Sequence, residues 1–371
     1  MTKNRVFING FESICCAGTN SDELFKAICS QQSGIRIDTQ WIPTKRVALG
    51  KIPYEFSLEE ILYLTCKKVL DTCHIQNTES ILLVVGSSVG GMRQSEKTFF
   101  KDHDYAHINP ELHNINAIAH ILTKQFSFKD DISFSTACTS SANALGYGFE
   151  MISKGVYEQV LVVGVDTLSY TTVRGFDALG VLSSLPCKPF DNNRDGMNVA
   201  EGIGVLLLEK CLKDESVEIF GVGYSSDAHH MTQPSPEGLG AYNAMQKALK
   251  SAGLEASKVE YINAHGTGTK ANDASEACAI QKLFPHHPFV SSTKSITGHA
   301  LGAAGALEAI ICAMALQQQI IPPNTHLDSP ENEALNYSYM PQKQKLRYVL
   351  SNSLAFGGNN TSLLLGLPRE R

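Results

Sequence analysis

The stretch "ISFSTACTSSANAL" (132–145) places one cysteine, Cys138, between an alternating apolar run and a run of small residues. Ile132 and Phe134 alternate with serines, which is the period of a strand, and the residues from Thr139 to a stop at Gly155 follow a helical pattern. Cys138 therefore falls at a strand-to-helix turn, where unpaired backbone N–H groups and the helix dipole favour negative charge. That setting is expected to lower the thiol pKa and make thiolate. The competing reading of this segment alone is a small apolar side chain filling a corner of the core.

Three further stretches carry chemistry of the same kind. In "INAHGTGTKANDASE" (262–276), His265 follows the end of a strand, where ligands of α/β sheets bind. Thr267 and Thr269 offer hydroxyls to a polar chain, and Gly266 and Gly268, flanking Thr267, allow close backbone approach. Asp273 and Glu276 either support this loop or serve only as acidic residues in a first helical turn. In "SSTKSITGHALGAAGALEAI" (291–310), Lys294, His299 and Glu308 are set among Ala, Gly and Leu. Lysine and glutamate are rarely buried unpaired, so a Lys294–Glu308 pair is expected, with His299 leaning neutral. "SNSLAFGGNNTSLLLG" (351–366) supplies a flexible turn whose N–H groups suit an oxyanion hole, or simply a hairpin. A cysteine, histidines and N–H donors together describe acyl transfer through a thioester. No cofactor is required for that chemistry, and no metal-ligand spacing is present.

Elements to position these residues are abundant. Val- and Ile-rich runs such as "SILLVVGSS", "EQVLVVGVD", "IGVLLLEK" and "RYVLSNS" alternate with helical patterns at 57–74, 139–154, 239–252, 272–284 and 300–317. Runs apolar on both faces predict buried, largely parallel sheets in an α/β fold. The segments 133–148 and 290–305 echo each other as strand, Ser-Thr, turn and small-residue helix. The echo suggests two related halves, 1–215 with the cysteine and 216–371 with the histidines, whose helix starts converge on one site.

Composition narrows the class. The 371 residues are 43% hydrophobic and carry a formal charge of −6, with 31 basic against 37 acidic side chains, which argues against a nucleic-acid binder. The ten cysteines are scattered with no C-x-x-C pair, the N-terminal stretch lacks the apolar core of a signal peptide, and no apolar run approaches a membrane span. A cytoplasmic location is the expectation.

Taken together, "STACTSSANAL", "KPFDNNRDGMNVAEGIGVLLLE", "SDAHHMTQPSPEG", "NAHGTGTKANDASE", "SSTKSITGHALGAAGALEAI" and "NSLAFGGNN", in this order, resemble the β-ketoacyl–acyl-carrier-protein synthases, the elongating condensing enzymes. The resemblance implies a thiolase-like, five-layered αβαβα fold of two similar halves and a dimer formed beside the nucleophile strand. It implies Cys138 as nucleophile, His265 and His299 as the decarboxylation pair, and Lys294 with Glu308 as the pair that orders the site. Asp273 and Glu276 would support it, and the N–H groups of Cys138 and Phe356 would form the oxyanion hole. Thr267, Thr269 and Thr232, the last in the "SDAHHMTQPSPEG" loop, would contact the phosphopantetheine arm of an acyl carrier protein. The alternatives are a chain-length-factor-like partner subunit, which would lack the cysteine, and a thiolase-fold acyltransferase.

Two departures from the family pattern bear on specificity. Leu354-Ala355 stands where relatives read Phe-Gly, which predicts a stiffer loop at Phe356. Glu59 and Glu60 stand where relatives carry basic carrier-docking residues. Together with a somewhat short chain they point to a specialised polyketide-type or aryl-polyene-type pathway, with carrier docking expected at Lys188 and Arg194 or on a partner subunit; the alternative is that Arg194 and Asp191 only brace a turn.

Overall fold

A computed structural model describes residues 4–369; the first three residues of the N-terminal stretch lie outside it. Eleven strands form one mixed sheet: β1 (Val6–Cys15), β2 (Leu82–Gly86), β3 (Asp130–Phe134), β4 (Gln159–Asp166), β5 (Gly202–Glu209), β6 (Val217–Ser226), β7 (Tyr261–Asn263), β8 (Phe289–Ser291), β9 (Asn336–Tyr337), β10 (Tyr348–Leu354) and β11 (Asn359–Gly366). Their order is β9-β8-β7-β10-β11-β6-β1-β5-β4-β2-β3.

The order contains a duplication. From β3 inward the first half runs β3-β2-β4-β5-β1, with parallel pairs β3·β2 and β2·β4 and antiparallel pairs β4·β5 and β5·β1. From β8 inward the second runs β8-β7-β10-β11-β6 with the same succession of parallel and antiparallel pairs. The halves meet where Val6–Ile8 of β1 pairs with Val217–Ile219 of β6. The echoing segments occupy matching places, one after β3 and one after β8.

Helices complete the layers. Helices α1 (Leu58–Thr72) and α2 (Asn116–Gln125) cover the outer face of the first half. Between the halves lie α3 (Ser140–Ser153) and α7 (Ala304–Gln318), while α5 (Leu239–Ala252) and α6 (Lys270–Leu283) cover the outer face of the second. One short helix, α4 (Tyr170–Ala178), stands beside the site. The expectation of largely parallel sheets is corrected: antiparallel pairs are as prominent as parallel ones. Strands β4, β5, β10 and β11 read as apolar on both faces because helices cover them on both sides, and that burial is independent of strand direction.

Helix α7 shows what the central layer demands. Residues Ala304–Leu316 are all buried, so an apolar stripe gives way to an apolar cylinder of Ala, Leu, Ile and Met. Against the expectation that no apolar run approaches a membrane span, Leu301–Gln318 is, among the described residues, apolar and long enough to cross one, but 89% of it is buried inside the protein, as in a core helix. Glu308 sits in the middle of this cylinder, and a carboxylate there requires a partner.

Candidate active site

The cysteine turn is built by backbone strain and hydroxyls. Ala137 adopts φ +53°, a left-handed conformation costly for a residue with a Cβ, and so turns the chain sharply from β3 into α3 with Cys138 at the bend. Its carbonyl accepts hydrogen bonds from Ser88 Oγ (2.8 Å) and Ser140 Oγ (2.7 Å), which hold the turn. Small residues then pack against the neighbouring layer: a Cβ on Gly305 would lie 2.7 Å from Ala142 N, and one on Gly86 2.4 Å from Ser141 Cα.

Cys138, His265 and His299 converge from three segments. One donor or acceptor atom of each, the cysteine Sγ and an imidazole nitrogen of each histidine, lies within 4.8 Å of the others. The two imidazoles meet edge to face with ring centres 5.1 Å apart. All three residues line a cavity of about 410 Å3 that also touches Thr232, Thr267, Thr269 and Phe356. His299 is held through its backbone, which bonds to Asn198 O and to Ala200 N five residues before α7 begins. Its Nδ1 is buried without a protein partner.

His265 is fixed in both position and tautomer. Glu276 accepts from the backbone N–H groups of His265 and Gly266, each at 2.9 Å, and from Asn352 Nδ2. Asp273 accepts from the N–H groups of Thr267, Gly268 and Phe190. These two carboxylates therefore shape the loop; neither is spare surface charge at a helix start. Gly268 requires its φ of +82° and its missing side chain, since a Cβ would lie 2.6 Å from Gly196 O. Lys294 Nζ donates to His265 O at 2.6 Å and to His265 Nδ1 at 3.2 Å, and pairs closely with Glu308. An ammonium donating to Nδ1 leaves the ring proton on Nε2.

Electrostatics correct one expectation. Burial dominates at Cys138 and pushes the thiol up to about 11, outweighing the opposing pull of the Lys294 charge and of the N–H groups of Phe356 and of Cys138 itself. The helix start does not produce a resting thiolate, because Cys138 is buried. Burial and the Lys294 charge drive His265 and His299 well below the usual histidine range, so both imidazoles are neutral at pH 7. Burial raises Glu308 to about 7 even with Lys294 against it. A cysteine and two histidines at this spacing have the ligand types of a zinc site. The Lys294 ammonium beside His265 opposes a divalent cation there.

The loop after β10 closes the cavity. The Phe356 N–H faces the Cys138 sulfur. Gly357 and Gly358 carry the positive φ values, +84° and +79°, and a Cβ on Gly358 would lie 1.6 Å from Asp227 O. Ala355 is not among the residues with positive φ, so its side chain introduces no strain in this conformation. Asn359 ties the loop to the start of α3, its Oδ1 accepting from Thr139 Oγ1 (2.8 Å) and Asn143 Nδ2 (3.0 Å).

Three contributors were not singled out from sequence. Asp166, at the end of β4, accepts from Ser87 Oγ and from the N–H groups of Ser88, Val89 and Gly302, joining the cysteine turn to the loop after His299. Phe176 of α4 faces Phe356, ring centres 6.2 Å apart, and Met197 lines the same wall. An acidic residue ending a strand, an apolar residue in a short helix and another in a loop have no local signature. The expectation for Arg194 fails: it is buried, donates to Asp191 O and Lys270 O, and pairs with Glu331. Its neighbours are backbone carbonyls and carboxylates that stabilise the turn before α6, leaving no charge for a partner. Lys188 forms a surface pair with Asp328 at 3.2 Å, and Glu59 and Glu60 are exposed in the first turn of α1.

A fold of two repeated halves with a cysteine–histidine–histidine floor is the architecture of a condensing enzyme. The family models for the beta-ketoacyl synthase N-terminal domain and C-terminal domain match residues 58–213 and 217–328, and the chain belongs to this family. It is 31% identical over 412 residues to 3-oxoacyl-[acyl-carrier-protein] synthase 2 of Coxiella burnetii, covering 98% of this chain and 99% of that protein. The counterpart from Vibrio cholerae is 30% identical with the same coverage. Among solved structures, the ketosynthase ApeO in complex with its chain length factor ApeC from Xenorhabdus doucetiae superposes with TM-score 0.88 at 31% identity, covering 98% of each chain. A beta-ketoacyl synthase from Burkholderia phymatum gives TM-score 0.90 at 28% identity, covering 99% of this chain and 100% of that one. The thiolase-like α/β fold expected from sequence is the fold observed.

Proposed function

We propose that this enzyme is a β-ketoacyl–acyl-carrier-protein synthase that condenses an acyl thioester with malonyl carrier protein. The observation that carries the reading is the meeting of the Cys138 sulfur with two neutral imidazoles beneath a backbone N–H donor. Cys138 attacks the acyl thioester carbonyl, the N–H groups of Cys138 and Phe356 hold the oxyanion, and the carrier thiol leaves with the proton that the cysteine gives up. Malonyl carrier protein then enters. Its C–CO2 bond breaks, the electron pair passes into an enolate whose oxygen accepts hydrogen bonds from His265 and His299, and the enolate carbon attacks acyl-Cys138. The thiolate is expelled and the β-ketoacyl product remains on the carrier.

Lys294 and Glu308 position His265, Asp273 and Glu276 shape its loop, and Thr232, Thr267 and Thr269 line the path of the phosphopantetheine arm. No cofactor beyond that arm is needed. The partners are an acyl carrier protein and either a second copy of this chain or a chain-length-factor-like subunit, seated beside β3, whose outer edge is unpaired in the single chain. The two halves divide at 215/216, the setting is cytoplasmic, and the pathway is a specialised polyketide or aryl-polyene route. A catalytically silent partner subunit is disfavoured by the presence of Cys138 and both histidines.

Incubation with an acyl carrier thioester and malonyl carrier protein should release CO2 and give a product longer by two carbons, detected by mass spectrometry. Acyl exchange between carriers with no new C–C bond would instead make the chain an acyltransferase.

A further inference from the structure

Two non-glycine residues beside the reacting pair stand in the left-handed region: Ala137 at φ +53°, immediately before Cys138, and Leu301 at φ +48°, two residues after His299. Such backbone is costly and persists only where the surroundings over-determine it. One side chain serves both turns, and we infer that Asp166 is a positioning residue, holding the Cys138 turn and the His299 loop in register so that thiol and imidazole meet. The inference rests on the condensing-enzyme reading and extends it to a residue outside the cavity lining.

Asp166 ends β4 and is 1% exposed. Its Oδ1 accepts from Ser87 Oγ at 2.6 Å and from the N–H groups of Ser88 and Val89, each at 3.0 Å, which fixes the loop that follows β2. Ser88 Oγ donates in turn to Ala137 O at 2.8 Å and carries the tie to the cysteine turn. Oδ2 accepts from Gly302 N at 2.6 Å, the N–H next after Leu301. The His299 loop comes so close that a Cβ on Gly302 would lie 2.8 Å from Asp166 Oδ2 and 2.6 Å from Ser88 N. The two turns follow β3 and β8, in opposite halves of the sheet, so their spacing depends on a shared anchor of this kind. Four donors on two oxygens call for a carboxylate. An amide in its place would keep the contacts of Oδ1 but turn an N–H donor against the Gly302 N–H.

The test measures two partial reactions on the same samples: acylation of Cys138 by hexanoyl-pantetheine, and CO2 release from malonyl carrier protein. Asp166→Asn and Gly302→Ala both loosen the His299 side and should lower the ratio of decarboxylation to acylation about tenfold. Ser88→Ala releases the Ala137 carbonyl instead and should raise that ratio about threefold, because acylation suffers while His299 stays anchored. A general loss of packing would slow both reactions together and leave the ratio in place. An unchanged ratio in the variants that fold would overturn the inference, as would a fall in the ratio for Ser88→Ala. If Asp166→Asn does not fold, the opposed shifts of Gly302→Ala and Ser88→Ala decide the matter alone. An unaltered enzyme that performs neither reaction would overturn the condensing-enzyme reading itself, and this inference with it.

Discussion

His265→Ala and His299→Ala should each lose malonyl decarboxylation by about 10²–10³ while still permitting some acylation of Cys138. The two imidazoles stand edge to face at the sulfur and are held neutral by burial and by the Lys294 charge. A neutral imidazole donates its ring N–H, at Nε2 in His265, to a developing enolate oxygen at no cost in deprotonation. The sign of the pH effect follows. Because the folded-state pKa of each histidine lies below the usual value near 6.5, lowering the pH through that value leaves both rings neutral. The imidazoles should therefore give decarboxylation no acid limb near pH 6.5, where an ordinary histidine would already be charged; an acid limb near pH 7 reports protonation of Glu308. Release of CO2 from malonyl carrier protein, measured apart from acyl transfer, reads both effects. A wild-type rate in either variant removes that histidine from the mechanism.

Lys294→Met should destabilise the fold by about 3–5 kcal/mol, since it strands the Glu308 carboxylate in the central layer and removes the donor to His265 O and Nδ1. Lys294→Met combined with Glu308→Leu should recover most of that loss, because exchanging both members of a buried pair for apolar groups is close to neutral. The double variant should nonetheless decarboxylate poorly, as nothing then fixes the His265 tautomer. Thermal unfolding and CO2 release on the same samples separate the two roles. If stability and activity returned together, the pair would be structural filling with no part in ordering the histidine.

How far the sequence reaches depends on whether the deciding interaction is local. The cysteine turn was legible because a period-2 run abutting a small-residue helix is a local pattern, and the strain at Ala137 then explains why the turn is sharp. The Lys294–Glu308 pair was legible from the cost of burying either alone. The thiol pKa was not, because a helix start is visible in sequence whereas the burial that outweighs it comes from loops arriving from β7, β8 and β10. Strand direction was hidden for a related reason: covering both faces of the sheet makes antiparallel β5 and β11 read like parallel strands. Arg194 misled because a cation in a polar turn looks exposed until the chain around residues 269–270 and 331 closes over it. Asp166 and Asn359 act through backbone N–H groups and side chains far away in sequence, and neither has a pattern of its own.

The central claim is that Cys138 is the nucleophile, and peptide mapping after brief exposure to an acyl carrier thioester tests it most directly. The account predicts an acyl adduct on Cys138 alone among the ten cysteines, and none after Cys138→Ala. Burial also raises the Cys187 thiol to about 12, and no backbone donor from the loop after β10 faces that sulfur. An adduct found on Cys187 or Cys278 with Cys138 unmodified would contradict the account.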